Sequence, residues 1–375
     1  MVKYTVQEIF SQHQEQLLSQ LSLPYHQYKA LTRLSQCRTA ALGGHAQYCE
    51  QGHLNGVWYN SCKHRACPQC RGMATEEWLV NTQSLLLDCP HHHVIFTMPS
   101  ELNTVWRFNR EVMADILFKA VQETLHTFAK DKKHLGATVG MLSVLHTWGR
   151  NLSLHPHLHV LITHGGLNQE GEWVSPKRQC LFPQKPVMQV YRGKLRAKLK
   201  QHLNAGQLTL PTNLSPQTFE NLLNKLGRQD WTVHFCERYD HGEGVAKYLS
   251  RYVKSGPLKS SQLVKVTDND VTFRYHSHQT KRTETLTTTI PEFARRLLEH
   301  VPAPRKSSVR YSGLYHVGGR AKLNQARRHH RQAAVSERQV LRWQAYLTQL
   351  GYLPTCHVCG GPLIRTENSP PNHRH

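Results

Sequence analysis

The chain has 375 residues, 39% of them hydrophobic and 19% charged, a composition typical of globular proteins and not of disordered chains. Lysine and arginine number 47 against 25 aspartate and glutamate, and a net charge of +22 favours a polyanionic partner, most often nucleic acid, over a merely soluble basic protein. Neither a signal peptide nor an apolar run of the roughly 20 residues that cross a bilayer is visible, so we expect a cytoplasmic, nucleoid-associated protein without a membrane partner.

A cluster of cysteines follows residues 4–22, which have the pattern of an amphipathic helix. In a reducing compartment, clustered cysteines indicate metal binding rather than disulfides. Two short pairs here have the spacing with which chains close a tetrahedral site for structural zinc. The predicted zinc ligands are Cys49, His53, Cys67 and Cys70. A second metal or a different set of four ligands is also possible, because four more candidates lie close by: Cys37, His45, Cys62 and His64. Among these, Cys62 is the first substitute for a predicted ligand.

Strand-like and helix-like segments follow the cysteine module without regular alternation. The sequence predicts strands at 91–99, 138–148, 157–163 and 231–235, and helices at 104–130 and 244–253. Three more strand-like segments end at Thr289, which is expected to cap a helix that has Pro291 in its first turn. This order favours an α+β fold with antiparallel strand pairs.

The segment "HPHLHVLITHGGL" sets histidines at alternate positions of one predicted strand. Residues two apart in a strand share a face, so His157 and His159 point one way while Leu158, Val160 and Ile162 point into a core. Two imidazoles on a rigid strand can share one divalent metal. Two surface histidines of a chain that has 27 would give the same pattern.

Two tyrosines, Tyr248 and Tyr252, lie four residues apart on the predicted helix 244–253 and so emerge on one side of it. Tyrosine is a weak nucleophile that needs an electrophile polarised by a metal. A histidine-held metal facing these hydroxyls would suit attack on a phosphodiester. Packing of both rings at the rim of the helix is the alternative.

Basic residues are concentrated towards the C-terminal end of the chain. The run Arg305–Arg331 contains eight Lys or Arg and no acid, with Tyr311 and Tyr315 interleaved. Such runs can neutralise phosphates while the aromatic rings stack on unpaired bases. The predicted DNA contacts are Lys247, Arg251, Lys254, Arg310, Arg327 and Arg328.

A second cysteine pair, Cys356-x2-Cys359, looks like half of a zinc knuckle. His373 and His375 could complete it, and two free thiols in the tail are an equal alternative.

Together these motifs resemble a known family. His157-Leu158-His159 matches the His-hydrophobic-His motif of the HUH endonuclease superfamily, and Tyr248-x3-Tyr252 resembles the motif of its two-tyrosine branch. The segments "CRTAALGGH", "YNSCKHRACPQC", "HVIFTMP", "HPHLHVLITHGGL" and "VRYSGLY" resemble, in the same order, the rolling-circle transposases of the insertion-sequence-91 type. One departure is Cys49-x3-His53, where many members have Cys-x2-Cys.

The resemblance implies a fold and a division of the chain. It implies an HUH-type central antiparallel sheet with flanking helices, with the tyrosine helix packed beside it. A small zinc-binding module precedes the sheet and a basic C-terminal region follows it. The expected domains are 1–88 for the first helix and zinc module, 89–256 for the nuclease, 257–335 for a β-rich basic region and 336–375 for a helix and knuckle tail.

The resemblance also implies an activity on single-stranded DNA at element ends and targets. One tyrosine would attack the phosphodiester, giving a 5′-phosphotyrosine and a free 3′-OH, and the other would handle the target strand or end the transfer. The family uses magnesium or manganese, and His146, eleven residues before His157, is the favoured third ligand because a hairpin would bring it alongside. The alternatives are a plasmid replication initiator or relaxase and a non-catalytic zinc-containing regulator.

Overall fold

The computed structural model describes residues 3–176, 179–240, 256–277, 280–304 and 306–365. Within these ranges no helix is both long and apolar enough to cross a membrane. The first half contains α1 Val6–Gln12, α2 Gln14–Gln20, α3 Tyr25–Ser35, β1 Gly44–Cys49, β2 Leu54–Tyr59, α4 Gly72–Leu85, β3 His91–Thr97, α5 Asn103–Phe108, α6 Arg110–Lys130, β4 Gly140–Trp148, β5 Leu154–Thr163, β6 Gly166–Leu167 and β7 Trp173–Val174.

The second half continues with two helices, the remaining strands and three further helices. These are α7 Gln184–Asn204, α8 Pro216–Leu226, β8 Val233–Tyr239, β9 Leu263–Val266, β10 Asp270–His276, β11 Thr283–Thr289, α9 Ile290–Glu299, β12 Val309–Gly313, α10 Arg320–His329, α11 Trp343–Gln349 and β13 Leu363–Arg365.

A five-stranded sheet in the order β12-β4-β5-β3-β8 forms the centre of the molecule, and every neighbouring pair in it is antiparallel. The predicted α+β fold with a central antiparallel sheet is thereby confirmed. One face is covered by α6 and α7, where Leu158, Val160 and Ile162 of β5 are fully buried. Each such side chain contributes about 1.5–3 kcal/mol of apolar burial.

The opposite face of the sheet is covered by α4 and α10. Leu142, Val144 and Leu161 pack there against Leu79 and Leu323. The histidines of β5 belong to this face, because the strand alternates its side chains.

A second antiparallel sheet, β11-β10-β9, packs with α9 against the N-terminal helices α1 to α3. Phe10, Leu31, Phe273 and Phe293 are fully buried in this core. The predicted cap at Thr289 is confirmed, since its side chain accepts a hydrogen bond from the Glu292 amide and a proline stands in the first turn of α9.

A third sheet joins strands from the two ends of the chain, in the order β13-β1-β2. The segments expected to be consecutive domains therefore share sheets. Strand β12 comes from the expected region 257–335 and pairs with β4 of the central sheet. Strand β13 comes from the expected tail and pairs with β1 of the N-terminal module.

Two predicted helices are divided. The helix expected at 4–22 is divided into α1, which ends at Gln12, and α2, which begins at Gln14. The helix expected at 104–130 breaks at Asn109, whose side chain accepts from the Thr209 amide and donates to the Thr209 carbonyl, both at 2.7 Å. An asparagine side chain that bonds to backbone groups outside its helix competes with the helix in a similar way to one that bonds to its own neighbouring backbone. The helix expected at 244–253 lies outside the described residues.

Candidate functional site

The β4–β5 hairpin brings three histidines together at one end of the central sheet. His146 lies directly opposite His157 in the antiparallel register, so the two side chains share a face. His159 follows on the same face of β5. The candidate ligand nitrogens of these three residues all lie within 4.8 Å of one another. The chain therefore presents three imidazoles to one point.

The spacing of these nitrogens fits a shared metal ion. His157 Nε2 and His159 Nε2 are 3.1 Å apart. Adjacent ligands of an octahedral ion with bonds of about 2.1 Å lie about 3.0 Å apart. His155, which is nearer to His157 in the sequence than His146 is, has an exposed side chain and does not join the cluster.

Hydrogen bonds on the far side of each ring hold the β5 imidazoles in place. His157 Nδ1 donates to the carbonyl of His155 at 2.6 Å, which leaves Nε2 for a ligand. His159 Nδ1 pairs at 2.8 Å with Nε2 of His93, a buried residue of β3. Metal-binding histidines usually have such a partner, which fixes the tautomer and the ring orientation.

Burial keeps these imidazoles in the form that binds metals. Burial lowers the pKa of His157 and of His93 to about 4. Burial and the neighbouring imidazoles hold the pKa of His146 and His159 well below the ordinary value. All four rings are therefore neutral at pH 7, and a neutral imidazole is the ligand form.

The cysteines form two separate clusters and not the predicted foursome. Cys37, Cys62, Cys67 and Cys70 lie together in one, and Cys49 and His53 lie in the other with Cys356 and Cys359. The reason is the β1–β2 hairpin. Strand β1 has six residues and spans roughly 20 Å, so Cys49 at its end cannot meet residues that flank its start. The prediction of one site from Cys49, His53, Cys67 and Cys70 is corrected accordingly.

The first cluster has the dimensions of a tetrahedral thiolate site. Cys37 Sγ lies 3.6 Å from Cys67 Sγ, and Cys62 Sγ lies 3.7 Å from Cys70 Sγ. Four sulfurs around zinc, each at about 2.3 Å, are about 3.8 Å apart. Hydrogen bonds with the thiols of Cys62, Cys67 and Cys70 lower the pKa of Cys37, which favours its thiolate. These residues fit zinc, and Cys62, the named substitute, is one of them.

Comparisons with known proteins agree with this geometry. A family model described as "Transposase zinc-binding domain", of the insertion-sequence-91 type, matches residues 9–98, and one described as "Putative transposase" matches residues 140–324. A protein of Sinorhizobium fredii named "Putative transposase y4qJ" is 33% identical over 82% of this chain and 79% of its own length. The "Transposase for insertion sequence element IS801" of Pseudomonas savastanoi pv. phaseolicola is 31% identical over 80% and 72%.

This chain belongs to the insertion-sequence-91-type transposases. It is thus a transposase, an enzyme that acts on DNA. No solved structure matches it.

In this transposase the first cysteine cluster lies wholly inside the matched zinc-binding domain, whereas the second reaches outside it to Cys356 and Cys359. Neither the supporting role of His93 nor the pairing of β13 with β1 was predicted from the sequence. The triplet "HHH" at 91–93 was a signal for the first, since alternate residues of a buried strand beside β5 can reach its histidines.

The predicted tyrosine nucleophiles Tyr248 and Tyr252, and the predicted DNA contacts Lys247, Arg251 and Lys254, lie outside the described residues. His373 and His375, which could complete the C-terminal cysteine pair, lie outside them too.

Two predicted DNA-contacting side chains are engaged inside the transposase. Arg327 is 9% exposed, and its guanidinium donates to the carbonyls of Ala333, Ser84 and Leu86. This corrects its expected role as a phosphate contact, because α10 turns Arg327 inward together with Leu323 and Ala326. Arg328, one position on, is exposed.

Arg310 is half-buried, pairs with Asp115 and stacks over the Phe118 ring at 4.2 Å from its centroid. It borders a cleft of about 760 Å³, where Arg338 and Lys306 also pair with acids. The expected base-stacking role of Tyr315 is corrected as well, because the ring is 1% exposed and its hydroxyl contacts His91 Nε2 at 2.7 Å.

Proposed function

We propose that this transposase cuts and rejoins single-stranded DNA at the ends of its element through a 5′-phosphotyrosine, driving rolling-circle-type transposition. The observation that supports this most is the convergence of His146, His157 and His159 on one point. A motif of two tyrosines, Tyr248-x3-Tyr252, accompanies them in the sequence. A regulator that only bound DNA would need neither group.

The proposed step conserves the phosphodiester energy. The phenolic oxygen of one tyrosine attacks the scissile phosphorus, loses its proton, and forms a new oxygen–phosphorus bond. The bond from phosphorus to the 3′ oxygen breaks, and that oxygen takes up a proton to leave a free 3′-OH. Attack of a 3′-OH on the phosphotyrosine reverses the step and releases the tyrosine, so no nucleotide hydrolysis is required.

Two tyrosines allow two strands to be held in succession. We assign the first cut at the element end to one of Tyr248 and Tyr252, and the target strand or the termination of transfer to the other. The DNA is single-stranded at both the element end and the target.

The three imidazoles would hold magnesium or manganese, which supplies Lewis-acid polarisation of the scissile phosphate when bound. Nitrogen donors suit manganese better than magnesium, and phosphate and water oxygens would complete the ligands of either ion. The chain's own part is to hold the rings. His155 and His93 keep the β5 imidazoles oriented through hydrogen bonds of 2.6 and 2.8 Å.

We further propose that Cys37, Cys62, Cys67 and Cys70 bind a structural zinc. Four protein ligands leave no open position for catalysis. The site would fix the loop after β2 to the end of α3, where Cys37 and Cys67 are buried beside the core of the second sheet.

The proposed function predicts that His157→Ala combined with His159→Ala abolishes cutting and leaves binding intact. Phosphate contacts position DNA without a metal, whereas the cut depends on it. We expect the double variant to shift a single-stranded element-end probe normally in a gel and to nick it at least about 100-fold more slowly.

Two single variants complete this experiment. His155→Ala is the matched control, since its side chain is exposed and its carbonyl remains, and it should cut normally. His146→Ala should behave like the double variant. Normal cutting by the double variant would refute the assignment of the site.

A further inference from the structure

The second cysteine cluster contains ligands from both ends of the chain. Cys49 and His53 flank the turn between β1 and β2, and Cys356 and Cys359 lie more than 300 residues later. Their candidate ligand atoms all lie within 4.8 Å of one another. The matched zinc-binding domain, residues 9–98, does not include the later pair.

The distances in this cluster fit a tetrahedral ion with sulfur and nitrogen ligands. Cys49 Sγ lies 3.6 Å from Cys359 Sγ and 3.4 Å from His53 Nδ1. Ideal zinc geometry, with bonds of about 2.3 Å to sulfur and 2.0–2.1 Å to nitrogen, gives edges of about 3.8 and 3.5 Å. A disulfide is excluded between Cys49 and Cys359 in this arrangement, because bonded sulfurs are about 2.05 Å apart.

Two similar tight turns present these ligands. In the first, the His53 amide points at Cys49 Sγ at 3.4 Å and Gly52 has a φ of +82°. In the second, the Val358 amide points at Cys356 Sγ at 3.4 Å and Gly360 has a φ of +70°. Both glycines occupy a backbone conformation that side chains disfavour.

The C-terminal segment reaches this point along a defined path. Asn81 of α4 exchanges two hydrogen bonds of 2.8 Å with the backbone of Gln339, and Glu77 pairs with Arg338 at 3.0 Å. Strand β13 then pairs with β1, placing Leu363 opposite Cys49.

Little apolar surface holds the end of this segment. Its buried cluster consists of Cys49, Cys356 and Leu363, with Trp343 packed at the side. Tyr352, Leu353, Val358 and Ile364 stay exposed. Segments with so small a core are commonly stabilised by a structural metal, whose binding free energy becomes folding free energy.

We propose that Cys49, His53, Cys356 and Cys359 form a second structural zinc site, which fastens the C-terminal end of the transposase to its N-terminal module. In this site Cys49 and His53 complete the pair that the sequence left open to His373 and His375 or to free thiols. Loss of this ion would release the segment after α10 from β1 and leave the first cysteine cluster intact.

The test measures zinc in the full chain that carries His157→Ala and His159→Ala, so that the histidine site takes up none. We expect about two zinc ions per chain in this background and about one after the further change Cys356→Ser with Cys359→Ser. Cys180→Ser is the matched control, since this exposed thiol lies outside both clusters, and it should keep both ions.

A second pair of variants guards against loss of folding. His53→Cys retains four ligands and should keep both zinc ions, whereas His53→Ala should lose one. Trypsin should cut after Arg342 faster in the zinc-poor variants than in the control. A zinc content that is the same with and without Cys356 and Cys359 would overturn the proposal, whereas loss of only the ion held by the first cluster would count against the proposed function alone.

Discussion

At the scale of single residues, the alternation of β5 already separates the two faces in the sequence. His157 and His159 could be placed on one face and Leu158 and Val160 in the core, because the period of a strand is two. The contact between His159 and His93 could not be predicted from the sequence, because it depends on β3 lying next to β5 in the sheet. Neighbouring strands are set by packing between distant segments, which a single sequence does not display.

His93 is expected to act as a positioning residue for the metal ligand His159. His93→Phe keeps a ring in the same place and removes the acceptor at Nε2, so Mn²⁺ affinity should fall by about 10–100-fold. His93→Gln supplies an acceptor again and should restore much of the affinity. The measurement is Mn²⁺ titration followed by electron paramagnetic resonance, and equal affinity in both variants would contradict the role.

At the scale of elements, strands were easier to predict than helix boundaries. The strands expected at 138–148 and 157–163 occur at Gly140–Trp148 and Leu154–Thr163. The long helix expected at 104–130 breaks because Asn109 bonds to Thr209, about 100 residues away in the chain. The basic run includes the amphipathic helix α10, which was not predicted, and Arg327 of this helix is buried.

Helix α10 offers a comparison of two adjacent arginines. Arg328→Gln removes an exposed charge and should flatten the log–log salt dependence of single-stranded DNA binding by about 0.7, if it contacts one phosphate. Arg327→Gln should leave that slope unchanged and reduce the free energy of unfolding by about 1–3 kcal/mol, because buried carbonyls lose their donor. Salt titrations and urea unfolding measure the two effects, and a slope change in Arg327→Gln alone would reverse the assignment.

At the scale of the whole molecule, the chain does not fold as a simple series of segments. Strand β12 completes the edge of the central sheet beside β4, and β13 returns to β1. The central sheet and the zinc-binding module were both predicted from the family resemblance. The union of the two chain ends was not foreseen, because Cys356-x2-Cys359 shows only half of a site in sequence and its partners are more than 300 residues away.

The proposed function depends on a covalent 5′-phosphotyrosine intermediate, and detecting this intermediate is its most direct test. Single-stranded oligonucleotides covering the ends of the element, labelled 3′ of the cut, are incubated with the transposase and Mn²⁺ and run on a denaturing gel. The unaltered protein should carry the label, because the expected bond is to the 5′-phosphate.

Replacing tyrosine with phenylalanine removes one hydroxyl and keeps the ring, so the first cut should fail in one of Tyr248→Phe and Tyr252→Phe. Completed transposition should require both hydroxyls, and the double variant should form no adduct. A labelled adduct that persists in the double variant would contradict the account.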